Sequence, residues 1–367
     1  MDRREFLKAC AGGLCVAALP PRWQTPAAAR AAGNAGATLA GPMVGVHRFG
    51  EVSEARGAVQ AVLEKIGGLE RIIRKGDRVV IKPNLVNCAG GRWVGRVTQP
   101  TVMEGVLQAV VECGGRPVVA EGTCEELYGT TVGFAREIGL MDVCKRYGAE
   151  FIDINAEEPR AVTVPRPVLW PRFHLTPTVV ECDRFISVPV MKTHYNAGFT
   201  LGMKNLVGTL SAQHYAPERG GWDRQGFHEG SRELWQHRYG VGPGETEALG
   251  SLQIRAAVAD LASARPIDLV VVDGIYGEER QSPTGGAADL VGIKERAGSY
   301  LVLAGTNCVA VDAVGAHLMR IPPEHRQQLD FAEAKGLGTA DLKQIRFVGE
   351  RLEDVAVPMR SGILSQG

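Results

Sequence analysis

The sequence has no excess of either charge: 41 Lys and Arg balance 41 Asp and Glu. It has no basic stripe interleaved with aromatics, and aromatics make up only 6% of the chain. Nucleic acid and anionic membrane are therefore poor partners. No two cysteines are spaced as CxxC, which removes the zinc ribbon and the ferredoxin-type cluster. GxSxG, the P-loop, GxGxxG and HExxH are all missing. No segment has the length of apolar run that a membrane-spanning helix needs.

What the chain does have begins at its N-terminus. DRREFLK precedes the short apolar run ACAGGLCVAALP and the small-residue stretch QTPAAARAAGNAGA. A charged start, a short apolar centre and small residues at a cleavage point are the parts of a secretory leader. Arg3-Arg4 followed by Phe6-Leu7-Lys8 is similar to the twin-arginine motif, although Asp2 stands where Ser or Thr is usual. Residues 1–31 are thus expected to be a leader read by the twin-arginine translocase. The mature chain would be soluble and periplasmic or extracellular, with no stable membrane insertion after cleavage.

The 45% apolar content is ample for a buried core. After an expected linker at 32–50, strands and helices alternate, starting with a helix at 52–66 and the strand RVVIKPN. The helix at 101–113, the strand PVVAEG, a helix at 134–147 and the strand EFIDIN come next. RFISVPVM reads as a further strand, followed by a helix from about Thr200. A second group comprises helix 251–263, IDLVVVDG, SYLVLAGT, helix 307–319, a helix near 323–335 and IRFVG. Nearly continuous apolar strands between helices predict an α/β fold, mainly a parallel sheet with helices on both faces. The domain would span 51–350, possible lobes at about 51–210 and 249–350, and residues 351–367 would form a tail. Residues 211–248 interrupt the pattern as an irregular insertion rich in His and aromatics, including Trp222 and Trp235, which suits a lid over a site.

Ligands of parallel α/β sheets gather beyond the carboxyl ends of the strands, so the polar residues ending each strand are the candidates. They are Lys82 and Asn84, Glu121, Lys192 with His194, Asp273 with Glu278, and Asp312 one turn into a helix. Lys204 and Asn205 fall on one face of the short helix expected after Thr200, with Gly208 allowing a close approach. Lys82, Lys192 and Lys204 would hold an anion, with amide donors from Asn84 and Asn205 and with Glu121 nearby. His194 is the candidate acid or base, and Lys192 and Asp273 complete the catalytic set. Asp273, Asp312 and Glu278 could hold a divalent metal. So could a group of His194, His214, His228 and His237. Each residue also has a plain structural reading: Lys82 and Lys192 as strand ends reaching solvent, Lys204 pairing with Asp312 or Glu121, Asp312 favouring a helix start, and Asp260 facing solvent or another helix. Cys113 and Cys144 fall on apolar helix positions and read as small buried hydrophobes.

VVIKPNLV at 79–86, SVPVMKTH, TLGMKNLVG, VVDGIYG, AGTNCVAVDAVGAHLM and AKGLG occur in this order. Together they resemble the DUF362 family, and the likeness runs from about residue 78 to 349. By position it emphasises Lys82, Asn84, Lys192, His194, Lys204, Asn205, Asp273 and Asp312. Some relatives carry a ferredoxin-like extension with clustered cysteines, a pattern missing here, so the resemblance implies no iron–sulfur cluster. It implies a shared site without naming a reaction. Three readings stay open: an exported enzyme acting on a small anionic substrate or cofactor, a periplasmic carrier of an anion or metal, and a redox accessory protein.

Overall fold

The computed structural model describes residues 41–86, 93–123, 130–215, 225–240, 242–243, 251–279 and 289–360. The twin-arginine-like leader and Trp222 lie outside the described residues. The first strands are β1 (Met43–Phe49), β2 (Arg78–Pro83), β3 (Arg116–Glu121) and β4 (Glu150–Asp153). Then come β5 (Arg160–Thr163), β6 (Arg172–Leu175), β7 (Arg184–Val188), β8 (Lys192–His194) and β9 (Gly198–Thr200). The last are β10 (Leu269–Gly274), β11 (Tyr276–Glu279), β12 (Asp289–Gly292), β13 (Tyr300–Gly305) and β14 (Arg346–Gly349). The helices that matter to the site begin with α1 (Ala55–Lys65), α2 (Pro100–Glu112), α3 (Thr131–Glu137), α4 (Leu140–Arg146) and α5 (Gly202–Asn205). They continue with α6 (Gln225–Tyr239), α7 (Leu252–Ala264), α8 (Cys308–Leu318) and α9 (Gln327–Ala334).

Among the described residues one eight-stranded sheet has the order β14-β1-β13-β10-β7-β2-β3-β4. Every neighbouring pair is parallel except the two that β13 makes, with β1 and with β10. The protein is an α/β fold built on a large, mostly parallel sheet. The sheet runs through both expected lobes, since β7 pairs with β10. The expected linker also has to be shortened, because residues 43–49 form β1 between β13 and β14. Nor is the C-terminus a free tail as far as Arg360. Val355 and Val357 are buried, and the backbone N–H of Val357 donates to Leu318 at 2.8 Å.

The two-residue period of each strand sorts its side chains between two cores. Val79, Ile81, Ile186, Val188, Leu269 and Val271 pack with α1, α2, α3 and α4 on one face. Val80, Phe185, Val270 and Val272 face the opposite layer, which contains residues of α5, α7, α8 and α9. Lys82 shares the parity of Val80, and Asp273 shares that of Val271. The alternation therefore sends these two strand-end charges to opposite sides of the sheet.

Local sequence explains where the elements stop. Pro189 cannot donate to a ladder, and β7 ends at Val188 rather than continuing to Met191. Gly139, with φ 79°, splits the helix expected over 134–147 into α3 and α4. The Asn307 side chain accepts from the Ala310 amide at 2.9 Å and caps α8. No helix among the described residues is long and apolar enough to cross a membrane.

Candidate functional site

Lys82, at the end of β2, is only 1% exposed and its register partner on β7 is Ser187. Its ammonium donates to Glu121 Oε2 at 2.7 Å, to Asn205 Oδ1 at 3.1 Å and to the Pro83 carbonyl at 2.9 Å. Glu121 also accepts from the backbone amides of Leu85 and Gly122, each at 2.9 Å. Burial pushes the Glu121 carboxyl up, while Lys82 pulls it back toward the ionised form. Asn205 closes the group by donating to the Lys82 carbonyl at 3.2 Å and to Ser187 Oγ at 3.0 Å. Gly208 lies directly over the pair: a Cβ there would stand 2.7 Å from Lys82 Nζ and collide with Glu121. Lys82, Glu121 and Asn205 are thus brought together, as a sealed ion pair tied into the backbone.

A second group of candidates grips residues 93–99. The hydroxyl of Thr98 donates to the Val188 carbonyl at 2.6 Å and accepts from the Asn84 amide at 2.8 Å. Asp273 accepts from the amides of Gln99 at 2.7 Å and Ile275 at 3.0 Å, and burial pushes its carboxyl up to about 7. Lys192 donates to the Arg96 carbonyl at 2.9 Å, and the Arg96 guanidinium meets Glu278 at 2.6 Å. Asn84, Lys192, Asp273 and Glu278 converge on one backbone segment from three strands and the turn after β2.

Asp312 belongs to a third place. In the interior of α8, it accepts from the amides of Gly202 at 2.7 Å and Met203 at 3.1 Å, at the start of α5. Burial pushes its carboxyl up to about 7 against the pull of those two donors. Asp273, Asp312 and Glu278, expected together as metal ligands, are therefore not gathered. The first two bind separate backbone segments and the third pairs with Arg96. Among the described residues no group of three or more His, Cys, Asp or Glu side chains stands in an arrangement that could hold a metal ion. The expected single crevice resolves into separate groups, and the end of β13 leaves it altogether. Because β13 runs antiparallel to β10, Thr306 and Asn307 leave the sheet at the end opposite the carboxyl ends of β10 and β7.

The richest remaining group surrounds His194 on the β8–β9 ribbon. Its Nδ1 accepts two backbone N–H bonds, from Asn196 at 3.0 Å and Ala197 at 3.2 Å. Burial, with the charges of Lys204, His228, Lys192 and Arg255, holds the imidazole well below its ordinary pKa. These come from four elements: α5, α6, β8 and α7. His228 is held low by burial and by Lys204 and Arg232. Asn196 connects the group: its side-chain amide lies 3.4 Å from His228 Nδ1, its Oδ1 accepts from Ser251 at 3.0 Å, and its carbonyl accepts from Arg255 at 3.3 Å. Arg255 is 2% exposed and also donates to the Glu324 carbonyl at 3.1 Å and to the Gln327 side chain. Chemically, the arrangement is a concentration of positive charge with imidazole and amide donors beyond the carboxyl end of β7.

The histidine group expected from the sequence is accordingly divided. His214 stacks on His174, ring centroids 3.5 Å apart, while His228 joins His194. The irregular insertion is partly helical core: Phe227 and Trp235 of α6 are fully buried. Asn196, Arg232 and Arg255 were missing from the expected site set, while His228 had been expected only as one of four histidines for a metal. Arg255 had a readable signal, an arginine inside the apolar helix LQIRAAVADLA. Asp260, on the same helix, does not face solvent. It accepts from Lys335 at 2.9 Å and from the amides of Val168, Leu169 and Trp170.

These features define an α/β protein with a cationic group beyond the carboxyl end of its central strand β7. The chain belongs to the family described as Domain of unknown function (DUF362), whose model matches residues 79–317. It is 24% identical over 289 residues to the thylakoid-associated protein sll1697 of Synechocystis sp. (strain ATCC 27184 / PCC 6803 / Kazusa), covering 78% of this chain and 77% of that one. Among solved structures it is similar to the lactate racemase apoprotein from Thermoanaerobacterium thermosaccharolyticum, with 13% identity and a TM-score of 0.44. That match covers 77% of this chain and 58% of the racemase chain.

Proposed function

We propose that the protein binds a small anion, a carboxylate or a phosphate, beside His194 and acts on it as an exported enzyme. The observation carrying this reading is that three cations, Lys192, Lys204 and Arg255, bear on one imidazole from three different elements. Such a concentration of positive charge raises the local concentration of an anion and gives it several donors at once. Lys192 and Lys204 are the binding groups, while Lys82 supports the site from its ion pair with Glu121. Calorimetric titration of the mature chain with inorganic phosphate and acetate tests the reading against Lys204→Met. Affinity for at least one anion should fall about tenfold or more in the variant, the magnitude of a lost charged hydrogen bond. Equal affinity in both proteins would refute it.

A carrier without catalysis is the second reading, favoured by the two amides already occupying His194 Nδ1. Mass analysis of the ligand retained by native protein, before and after incubation, separates the two. An unaltered ligand selects the carrier. Export rests on Arg3-Arg4 and the apolar run behind them. Replacing both arginines by lysine should leave the protein in the cytoplasmic fraction, and normal export of that variant would remove the proposal.

A further inference from the structure

Resting on that anion-binding reading, we infer that His194 serves as a neutral hydrogen-bond donor through Nε2–H, not as a base, and that the anion is a phosphate-type dianion.

An imidazole nitrogen that accepts hydrogen bonds has its lone pair in use and carries no proton. His194 Nδ1 accepts from two consecutive backbone amides, Asn196 and Ala197. A proton on Nδ1 would face two N–H donors at about 3 Å, so the imidazolium is disfavoured by geometry as well as by charge. The neutral ring must then keep its proton on Nε2. Both nitrogens are committed, one as acceptor and one as donor, and neither is left to abstract a proton. The charges around it agree: Lys192 on β8, Lys204 on α5, His228 on α6 and Arg255 on α7 are all positive or become positive on protonation.

Asn196 is the positioning residue. Its own amide N–H is one of the two on His194 Nδ1, and its carbonyl accepts from Arg255. Its Oδ1 accepts from Ser251, which leaves the side-chain NH2 to face His228 Nδ1. His228 is thereby held in the same tautomer as His194. One asparagine thus sets two rings and a guanidinium relative to each other.

The dianion follows from the charge of the surroundings: Lys192, Lys204 and Arg255 act on His194 with no carboxylate among the charges that shift it. A dianion gains twice the Coulomb energy of a carboxylate with each cation. A tetrahedral group presents oxygens in several directions, which suits cations carried on three elements, whereas a carboxylate presents two oxygens in one plane. Free phosphate and a phosphomonoester share this chemistry.

The test uses the mature chain with 15N-labelled histidine. Long-range 1H–15N correlation should show His194 with Nε2 protonated and Nδ1 bare from pH 5.5 to 8, with and without phosphate. Titration should give phosphate at least about tenfold tighter than acetate, as expected if one or two charged hydrogen bonds are added. Inorganic phosphate and glycerol phosphate, run side by side, identify the source by which binds more tightly. His194→Gln, which keeps an N–H donor, should retain phosphate affinity within a few-fold, and His194→Phe should lose about tenfold. A proton on Nδ1, or an imidazolium in the complex, would overturn the donor role even if phosphate binds. Acetate binding as tightly as phosphate would overturn the dianion. If neither anion binds, the anion site itself is wrong. Should His194→Phe fail to fold, the tautomer in the native chain still decides.

Discussion

Lys82 and Asn205 are joined twice, the ammonium donating to Asn205 Oδ1 at 3.1 Å and the Asn205 amide donating back to the Lys82 carbonyl at 3.2 Å. With Glu121 as third member, the site's best-conditioned lysine is bound into structure on every side. Removing one partner of a buried ion pair leaves the other charge uncompensated, which costs about 3–5 kcal/mol. Lys82→Met should therefore lower stability by that order in a urea titration. If stability is unchanged and only ligand affinity falls, Lys82 is a ligand residue after all. Gly208→Ala tests the same group from outside. Its methyl group has no room beside Lys82 Nζ and Glu121, and a loss of about 1–3 kcal/mol is expected.

Asp312 gives stability a dependence on pH whose sign can be worked out. Its folded value of about 7 lies above the ordinary 3.8. The folded state then holds a proton that the unfolded chain has released, between about 4 and 7. Asp312 supports the fold fully below that window and progressively less as pH rises through 7. His194 and His228 act oppositely, because their folded values are lowered. Their contribution is present above 6.5 and is lost as pH falls. Relative to the native chain, Asp312→Asn should gain about 1.4 kcal/mol per pH unit across 5 to 7, whatever its starting penalty. Parallel stability curves for the two proteins would rule out Asp312 as the titrating group.

The sheet was legible because its strands are short, β-branched and apolar on both faces, as β10 with LVVVDG shows. The strand-end rule found Lys192 and His194 for the same reason. It failed to foresee that Lys82 and Asp273 point to opposite faces, although their parity with Val80 and Val271 was already written in the chain. Strand direction was not: nothing local says that β13 runs against its neighbours, which puts its carboxyl end, with Asn307, at the opposite end of the sheet from those of β7 and β10. Asp260 was left between solvent and another helix because its partner, Lys335 at the end of α9, lies 75 residues away. Asn196 was invisible for a different reason. Half of its contacts come from backbone atoms, which every residue possesses, and its side chain meets His228 and Ser251 from distant parts of the chain.

Asp260 and Lys335 make a prediction of their own. The carboxylate accepts from three consecutive amides, Val168 to Trp170, and Lys335 also holds the carbonyls of Pro165 and Arg166. Arg166 in that loop has φ 47°, a left-handed conformation that the surrounding bonds must maintain. Lys335→Met should destabilise the protein by about 3–5 kcal/mol and raise hydrogen exchange at 165–170. Exchange protection that stays at the native level there would show that the loop holds without the pair.

Gly198 offers a way to separate the scaffold of the His194 group from its charges. It has φ 82°, and a Cβ added there would run into the carbonyl of His325. Gly198→Ala must therefore shift the β8–β9 ribbon or the segment holding His325, at a cost of at least about 1–3 kcal/mol. Because His194, Asn196 and the contact to Arg255 all ride on that ribbon, melting temperature and phosphate affinity should fall together. Lys204→Met removes one charge without adding a clash at the turn, so phosphate affinity should fall while hydrogen exchange on the β8–β9 ribbon stays at the native level. If Gly198→Ala weakened stability but left phosphate affinity untouched, the anion would have to be held by groups that do not depend on the ribbon, and His194 would not be among them.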